Sequence, residues 1–126
     1  MGKIFNFTGL SNTEIKIMEQ LWKIDQPLSL KEITEFLNKQ LNKEWKQQTV
    51  GTYLSHLQKA GIIKTDKRFS KLYLYFPSCT KEEYLEKCAC NFVEQVFDNS
   101  LSSFIAAFAK EGKISQRDAE ELKKLI

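Results

Sequence analysis

The sequence lacks the marks of a membrane-spanning or secreted protein. No apolar run approaches the ~18 residues that a membrane helix needs, and the opening MGKIFNFTGL contains no apolar signal-peptide core with a small-residue cleavage site. The three cysteines, Cys79, Cys88 and Cys90, are an odd number and do not form the even framework of a secreted disulfide protein. The sequence therefore predicts a cytoplasmic protein with reduced thiols and no membrane partner.

Residues suited to catalysis are also scarce. His56 is the one histidine, and the sequence shows neither a carboxylate pair nor a Gly-rich phosphate loop. The cysteines have no recognisable partner group that would activate a nucleophile. We therefore expect no enzymatic activity, no cofactor and no metal site.

What the chain does contain is an uneven distribution of charge. Its 126 residues, 42% hydrophobic and 28% charged, are typical of a folded protein. Residues 1–79 hold twelve Lys or Arg against seven Asp or Glu, a net charge of +5, whereas residues 80–126 hold seven against nine, a net charge of −2. A basic N-terminal part suits a polyanionic partner. An accidental distribution of solvated charges is the alternative, because the excess is modest.

Two capping boxes open the first two predicted helices. Ser11 is followed three residues later by Glu14, and Ser29 by Glu32. Pro27 separates the two helices, because proline is not accommodated in a helix interior. Apolar residues recur at helical spacing in both segments, as Ile15, Met18, Leu21 and Trp22 in the first and Ile33, Phe36, Leu37 and Leu41 in the second.

A third helix and a basic hairpin follow. The helix is predicted over residues 46–60, with Val50, Tyr53, Leu54 and Leu57 at helical spacing and Gly61 as a left-handed stop. The runs IIKT and KLYLYF then have the composition of strands, with the basic, turn-prone KRFS between them. Three helices and such a hairpin predict a winged helix-turn-helix domain over residues 1–78.

The third helix carries a polar face that is suited to reading bases. Gln48, Thr52, Ser55 and Lys59 lie opposite its apolar residues, and glutamine can bridge adenine while a threonine methyl can pack on thymine. An operator rich in A·T pairs follows as a hypothesis, and His56 is interpreted as a helix residue near the DNA-facing rim. The candidate DNA-binding residues of the helix and hairpin are Lys46, Gln47, Gln48, Thr49, Thr52, Ser55, Lys59, Lys67, Arg68 and Lys71.

Residues 79–126 are predicted to be a helical dimerisation domain. Thr80 and Glu83 form another capping box, and the three helices that follow are more apolar than a small winged helix needs to cover itself. The fold class is therefore mainly α with a small β-wing, a winged helix-turn-helix domain followed by a dimerisation domain. Folding of these helices over their own N-terminal domain is the alternative. The candidate dimerisation residues are Tyr84, Leu85, Phe92, Val96, Leu101, Phe104, Ile105, Phe108 and Leu122.

Several strings resemble the BlaI/MecI/CopY family of bacterial repressors. They are LSNTEIKIMEQLW, WKQQTVGTYLSHLQKAGII, the YLYFP close of the wing and NSLSSFIAAFAKEGKISQRDAEELKKLI near the C-terminus. The resemblance spans nearly the whole chain. It implies a homodimeric winged-helix repressor whose N-terminal domains read a palindromic double-stranded operator and whose C-terminal helices hold the dimer together.

The recognition helix both matches and departs from the family pattern. Thr49 and Thr52 stand where the family has threonines that contact DNA, and Gln48 replaces a common lysine. Gly51 stands where the antibiotic-responsive members usually have a base-reading arginine. The resemblance therefore implies DNA binding by this helix but not the usual operator.

The resemblance also bears on how the repressor is inactivated. Some members are cut at an Asn-Phe bond in the C-terminal domain, and the similar position here is Ala107 and Phe108, which makes an inactivating protease a candidate partner. Copper-responsive members carry paired Cys-x-Cys motifs, whereas this chain has Cys88 and Cys90 within a predicted helix. Positions two apart on a helix point about 200° from each other, so these thiols cannot ligate one metal from a regular helix.

Two other function classes remain at this point. A winged helix can serve as a protein-interaction module, and DNA binding would then lack steep salt dependence. A metal- or ligand-responsive sensor is the second alternative, and a ligand-dependent change in dimer affinity would distinguish it.

Overall fold

The computed structural model describes residues 9–67 and 73–126. The chain forms α1 (Asn12–Leu21), β1 (Leu28–Ser29), α2 (Leu30–Leu41), α3 (Gln47–Lys59), β2 (Ile63–Asp66), β3 (Leu74–Pro77), α4 (Lys81–Val96), α5 (Leu101–Lys110) and α6 (Gln116–Leu125). The predicted fold class, mainly helical with a small β-wing, is confirmed.

The helix boundaries follow the signals in the sequence. The capping boxes of the first two helices are both formed. The Ser11 and Ser29 hydroxyls each accept from the backbone N–H of the glutamate three residues later, and the carboxylate of that glutamate accepts from the serine backbone N–H. The C-cap residue of α2, Asn42, has a left-handed conformation. Gly61 follows α3 with φ of 83°, a conformation that costs glycine little.

The hydrophobic core of the N-terminal part lies between α1, α2, α3 and the sheet. Its fully buried side chains are Ile17, Met18, Ile33, Leu37, Val50, Leu54, Leu57 and Ile63. On α1 the buried face contains Ile17, which the predicted apolar stripe omits, whereas Ile15 is only half-buried. The helical period places Ile17 on the same side as Leu21 and Glu14, so the stripe is rotated relative to the prediction.

The wing is part of a three-stranded antiparallel sheet in the order β1-β3-β2. Leu28 pairs with Tyr75 and Ser29 with Leu74, so β1 closes the free edge of β3. The strand β1 has no pattern in the sequence that predicts it, because it consists of only Leu28 and the helix cap Ser29, directly after Pro27.

The structure separates into two compact units, one ending at Glu86 and one from Lys87 to Ile126. The sequence predicts a boundary between residues 78 and 79, and the compact units instead divide within α4. The boundary between a DNA-binding domain and a dimerisation domain stays a prediction.

The second unit is built around aromatic rings. The ring of Phe104 lies 5.6 Å from that of Phe92, 5.4 Å from that of Phe97 and 5.0 Å from that of Phe108. Ser100 and Ser115 cap α5 and α6. Between Lys87 and Ile126 every residue retains at least intermediate exposure, so this unit has no fully enclosed core.

Across residues 9–67 and 73–126, none of the helices combines the length and apolar character required to cross a membrane.

Candidate nucleic-acid interface

Helix α3 presents one polar face to solvent and buries the other. Val50, Leu54 and Leu57 are fully buried, which anchors the helix in the core. The residues that the sequence proposes for DNA contact in this region are all exposed, and so are His56 and Gln58 on the same helix. The proposed contact residues are Gln47, Gln48, Thr49, Thr52, Ser55 and Lys59, together with Lys46 just before the helix. The structure therefore brings these candidates together on one accessible helix.

The hydroxyl of Thr52 is turned toward its own helix. Its Oγ1 donates to the backbone oxygen of Gln48 at 3.1 Å. The proton is therefore engaged, and what Thr52 can offer a partner is its methyl group and an acceptor lone pair.

The N-terminus of α3 differs from those of the other helices in its cap. Lys46 occupies the N-cap position and makes no side-chain cap hydrogen bond. The first N–H groups of a helix are favourable sites for an anionic oxygen, and Lys46 adds a positive charge beside them.

The turn between α2 and α3 is held by the side chain of Asn38, which is not among the residues predicted from the sequence. The Asn38 Nδ2 donates to the backbone oxygen of Trp45, and the Trp45 N–H donates to Asn38 Oδ1, both at 2.9 Å. The Trp45 ring lies 5.4 Å from that of Tyr53 on α3. These contacts fix where the third helix begins.

A second link joins α3 to α1. His56 Nδ1 lies 2.8 Å from Oε2 of Glu14, whose other oxygen accepts from the Ser11 N–H at 2.8 Å. Burial would raise the pKa of the Glu14 carboxyl, but the hydrogen bonds from Ser11 and His56 outweigh it, and the pKa lies below its ordinary value.

His56 is exposed, and its partner Glu14 was not predicted from the sequence. The spacing of Glu14, three residues before Ile17 and four after Leu10, indicates its place on the buried face of α1, but no local pattern links it to His56.

The wing supplies positive charge on the described side of the hairpin. Lys64 and Lys67 are exposed, and the Lys67 ammonium lies 4.3 Å from the centre of the Tyr73 ring, a cation–π geometry. Arg68 and Lys71, which the sequence also proposes for DNA binding, lie outside the described residues.

Gly51, where the resemblance implies the loss of an arginine, is half-buried on α3. A Cβ built there would lie 3.7 Å from Cδ2 of Leu30, which is ordinary van der Waals contact. The position therefore has room for a methyl group.

The candidate dimerisation residues divide by exposure. Tyr84 is buried, with its ring 5.5 Å from that of Trp22, so the N-terminal unit itself accounts for it. Leu85, Val96, Leu101 and Phe108 are exposed, and Phe92, Phe104, Ile105 and Leu122 are half-buried. The Ala107 and Phe108 pair proposed for cleavage is exposed on α5.

The three thiols do not belong to a metal-binding cluster in the part of the chain that the structure describes. Cys79, Cys88 and Cys90 are free, and no three His, Cys, Asp or Glu side chains among residues 9–67 and 73–126 are grouped so that they could hold a metal ion.

Comparison with known proteins identifies the family of the chain. A family model described as the penicillinase repressor matches residues 10–126. The chain is 26% identical over 117 residues to the methicillin resistance regulatory protein MecI of Staphylococcus aureus (strain N315), covering 93% of this chain and 92% of MecI. It is 26% identical over 117 residues to the penicillinase repressor of Staphylococcus aureus, covering 93% and 90%. An uncharacterized 16.5 kDa protein in the ptsI 3′ region of Latilactobacillus sakei is 22% identical over 121 residues, covering 96% and 80%.

The family match extends over the α3 surface, the wing and the C-terminal helices alike. It confirms the resemblance and the expectation that the protein is a regulator and not an enzyme. The chain belongs to the penicillinase repressor family of transcriptional repressors.

Proposed function

We propose that the protein is a homodimeric repressor that places α3 in the major groove of a palindromic operator. The observation that carries the proposal is the exposed polar face of α3, backed by three fully buried apolar residues. The major groove is wide enough for an α-helix, and its base edges distinguish all four base pairs. Short neutral side chains can reach those edges with a small desolvation cost.

The proposed contacts fall into two classes. Gln47, Gln48, Thr49, Thr52 and Ser55 face the bases, and the methyl group of Thr52 is suited to a thymine methyl, because its hydroxyl proton is already engaged. Phosphate contacts come from lysines and from the N-terminus of α3, and they supply affinity and register without sequence information. The proposed phosphate-contacting side chains are Lys46, Lys59, Lys67, Arg68 and Lys71.

Dimerisation is assigned to the C-terminal helices. Leu101 is 60% exposed and Phe108 45% exposed in one chain. These residues lie two turns apart on α5, on one face of that helix. A second copy of the chain would cover this apolar surface and would double the number of recognition helices on the DNA.

Induction then follows from the dimer. Any event that weakens the C-terminal interface lowers affinity for the operator, because a single recognition helix makes few contacts. Cleavage between Ala107 and Phe108 is one such event, since it would remove the last three residues, Phe108 to Lys110, from α5.

The test is selection of bound duplexes from a random pool, carried out with the wild-type chain at moderate salt. A palindromic enriched site is expected, and the absence of any enrichment would reject the proposal. Replacing Thr49 and Thr52 with alanine should then lower the preference for the enriched site by roughly tenfold, with little change in non-specific binding. Gln58→Ala, an exposed change on α3 away from the proposed contacts, is the matched control. Equal loss of both kinds of binding would reject the base-reading role of the threonines.

A further inference from the structure

Glu14 on α1 is a buried charged side chain that the proposed DNA contacts of α3 do not explain. The residue is only 4% exposed. A carboxylate withdrawn from water is tolerated only where donors surround it. Its two oxygens have separate donors, the Ser11 N–H on Oε1 and His56 Nδ1 on Oε2, each at 2.8 Å. The first donor caps α1, and the second belongs to α3.

The direction of the second hydrogen bond follows from the chemistry of the acceptor. An ionised carboxylate only accepts, so His56 donates through Nδ1–H. The His56 side chain is 73% exposed and lies one helical turn after Thr52 and three residues before Lys59. The bond therefore attaches α1 to the part of α3 that carries the polar face.

The hydrogen bond between His56 and Glu14 can orient α3 in a way that its other contacts do not. Among the described residues, the backbone of α3 approaches the backbones of α2 and β2 at more positions than that of α1. Apolar packing is non-directional, whereas a hydrogen bond constrains both distance and angle. A shift of α3 away from α1 would also leave the buried carboxylate without one of its donors.

We propose that Glu14 and His56 are positioning residues for the recognition helix. Their hydrogen bond holds α3 against α1 in the orientation at which Thr52 and Ser55 reach base edges. This inference rests on the DNA-reading role proposed above for α3. Glu14 itself is buried and touches no DNA.

Two simpler roles have to be separated from this one. Glu14 could act only as the capping residue of α1, or His56 could act only as a direct contact to DNA. Ser11→Ala removes the other half of the capping box, the Ser11 Oγ that accepts from the Glu14 N–H, without touching His56. It is therefore the matched control for the first role, and a double-mutant cycle tests the second.

The experiment compares Glu14→Ala, His56→Leu, the double variant and Ser11→Ala in the full-length chain. Fluorescence anisotropy gives the Kd for a duplex carrying the enriched site and for a scrambled duplex of the same composition. Their ratio measures discrimination. Tryptophan fluorescence during urea unfolding reports the stability of the N-terminal unit, which contains both tryptophans.

Discrimination is expected to fall about tenfold in each single variant and no further in the double variant. Ser11→Ala should lose stability but keep the wild-type ratio. His56→Asn should restore much of the ratio, because its amide nitrogen can occupy the place of Nδ1 and donate to the carboxylate.

The outcomes separate the inference from the proposed function. A wild-type chain that enriches no sequence would remove the proposed function and this inference with it. A discriminating wild type whose Glu14→Ala variant behaves like Ser11→Ala would overturn the inference alone, as would additive losses in the double variant. If Glu14→Ala does not fold, the test is the comparison of His56→Leu with His56→Asn. Equal Kd ratios for these two variants would overturn the inference.

Discussion

Glu14 illustrates how much one side chain can do in a small domain. It completes the capping box of α1, fills part of a buried surface and pairs with His56. A capping interaction contributes typically ~1 kcal/mol, and a buried charge that loses its partner costs more than the partner contributes. Changes at Glu14 should therefore affect both stability and the placement of α3.

The lowered pKa of Glu14 predicts a dependence of stability on pH. Its folded-state pKa lies below the ordinary value of 4.5, so the unfolded chain binds the proton more readily. The stabilisation by ionised Glu14 is fully present above pH 4.5 and is lost as the pH falls through the folded-state pKa. We expect Glu14→Gln to be less stable than wild type at pH 7, with a difference that shrinks as the solution is acidified below pH about 4.5.

Urea unfolding followed by tryptophan fluorescence measures this difference at each pH. Glu19→Gln, an exposed change on the same helix, is the control and should leave the wild-type pH dependence in place. A Glu14→Gln deficit that stays constant from neutral to acidic pH would contradict the ionic role of the carboxylate.

Helix α3 shows how an element is placed by interactions at both of its ends. Asn38 and Trp45 fix the turn before it, and His56 ties its later part to α1. Between these points the helix contains Gly51, which weakens a helix because glycine loses more backbone freedom on folding than alanine does.

Gly51→Ala is predicted to stabilise the N-terminal unit by about 0.5–1 kcal/mol. The added methyl group would meet Leu30 at ordinary contact distance, so no compensating strain is expected. The same fluorescence-monitored urea titration measures the gain.

Gly61→Ala supplies the opposite control, because Gly61 has φ of 83° and alanine is strained there. It should destabilise the unit by roughly 1 kcal/mol or more. If both substitutions changed the free energy of unfolding in the same direction, the assignment of Gly51 to a regular helical conformation would be contradicted.

The molecule as a whole combines a well-packed N-terminal unit with a C-terminal unit that lacks an enclosed core. Fully buried residues are concentrated before Glu86, whereas α5 and α6 contain none. The phenylalanines of the C-terminal unit are half-buried or exposed, and in the proposed dimer a partner surface of the same composition would cover them.

Leu101→Glu is therefore predicted to weaken dimerisation at least ~10-fold, because it places an unpaired charge in the proposed interface. Sedimentation equilibrium measures the dimer dissociation constant. Ser102→Glu adds the same charge at the next, polar position of α5 and should leave the dimer intact. Circular dichroism checks that both variants keep their helices. A Leu101→Glu chain that remains as dimeric as wild type would place the interface elsewhere.

Most helix ends in this protein were predictable because their causes are local. Ser11, Ser29 and Ser115 each cap a helix through a residue three positions away, and Gly61 ends α3 through its own backbone freedom. The polar and apolar faces of α3 follow equally from a period of 3.6 residues, so the proposed reading surface needed no structure to locate.

The contacts that orient these elements were not predictable in this way. Glu14 and His56 are separated by 42 residues, and Trp22 donates to the backbone of Cys79 across 57 residues. The strand β1 likewise exists only because β3 lies beside it. Local signals cover about four residues, and which distant groups meet depends on how the whole core packs. The sequence therefore specified α3 and its exposed polar face, whereas the fold supplied the pairings that hold that helix in place.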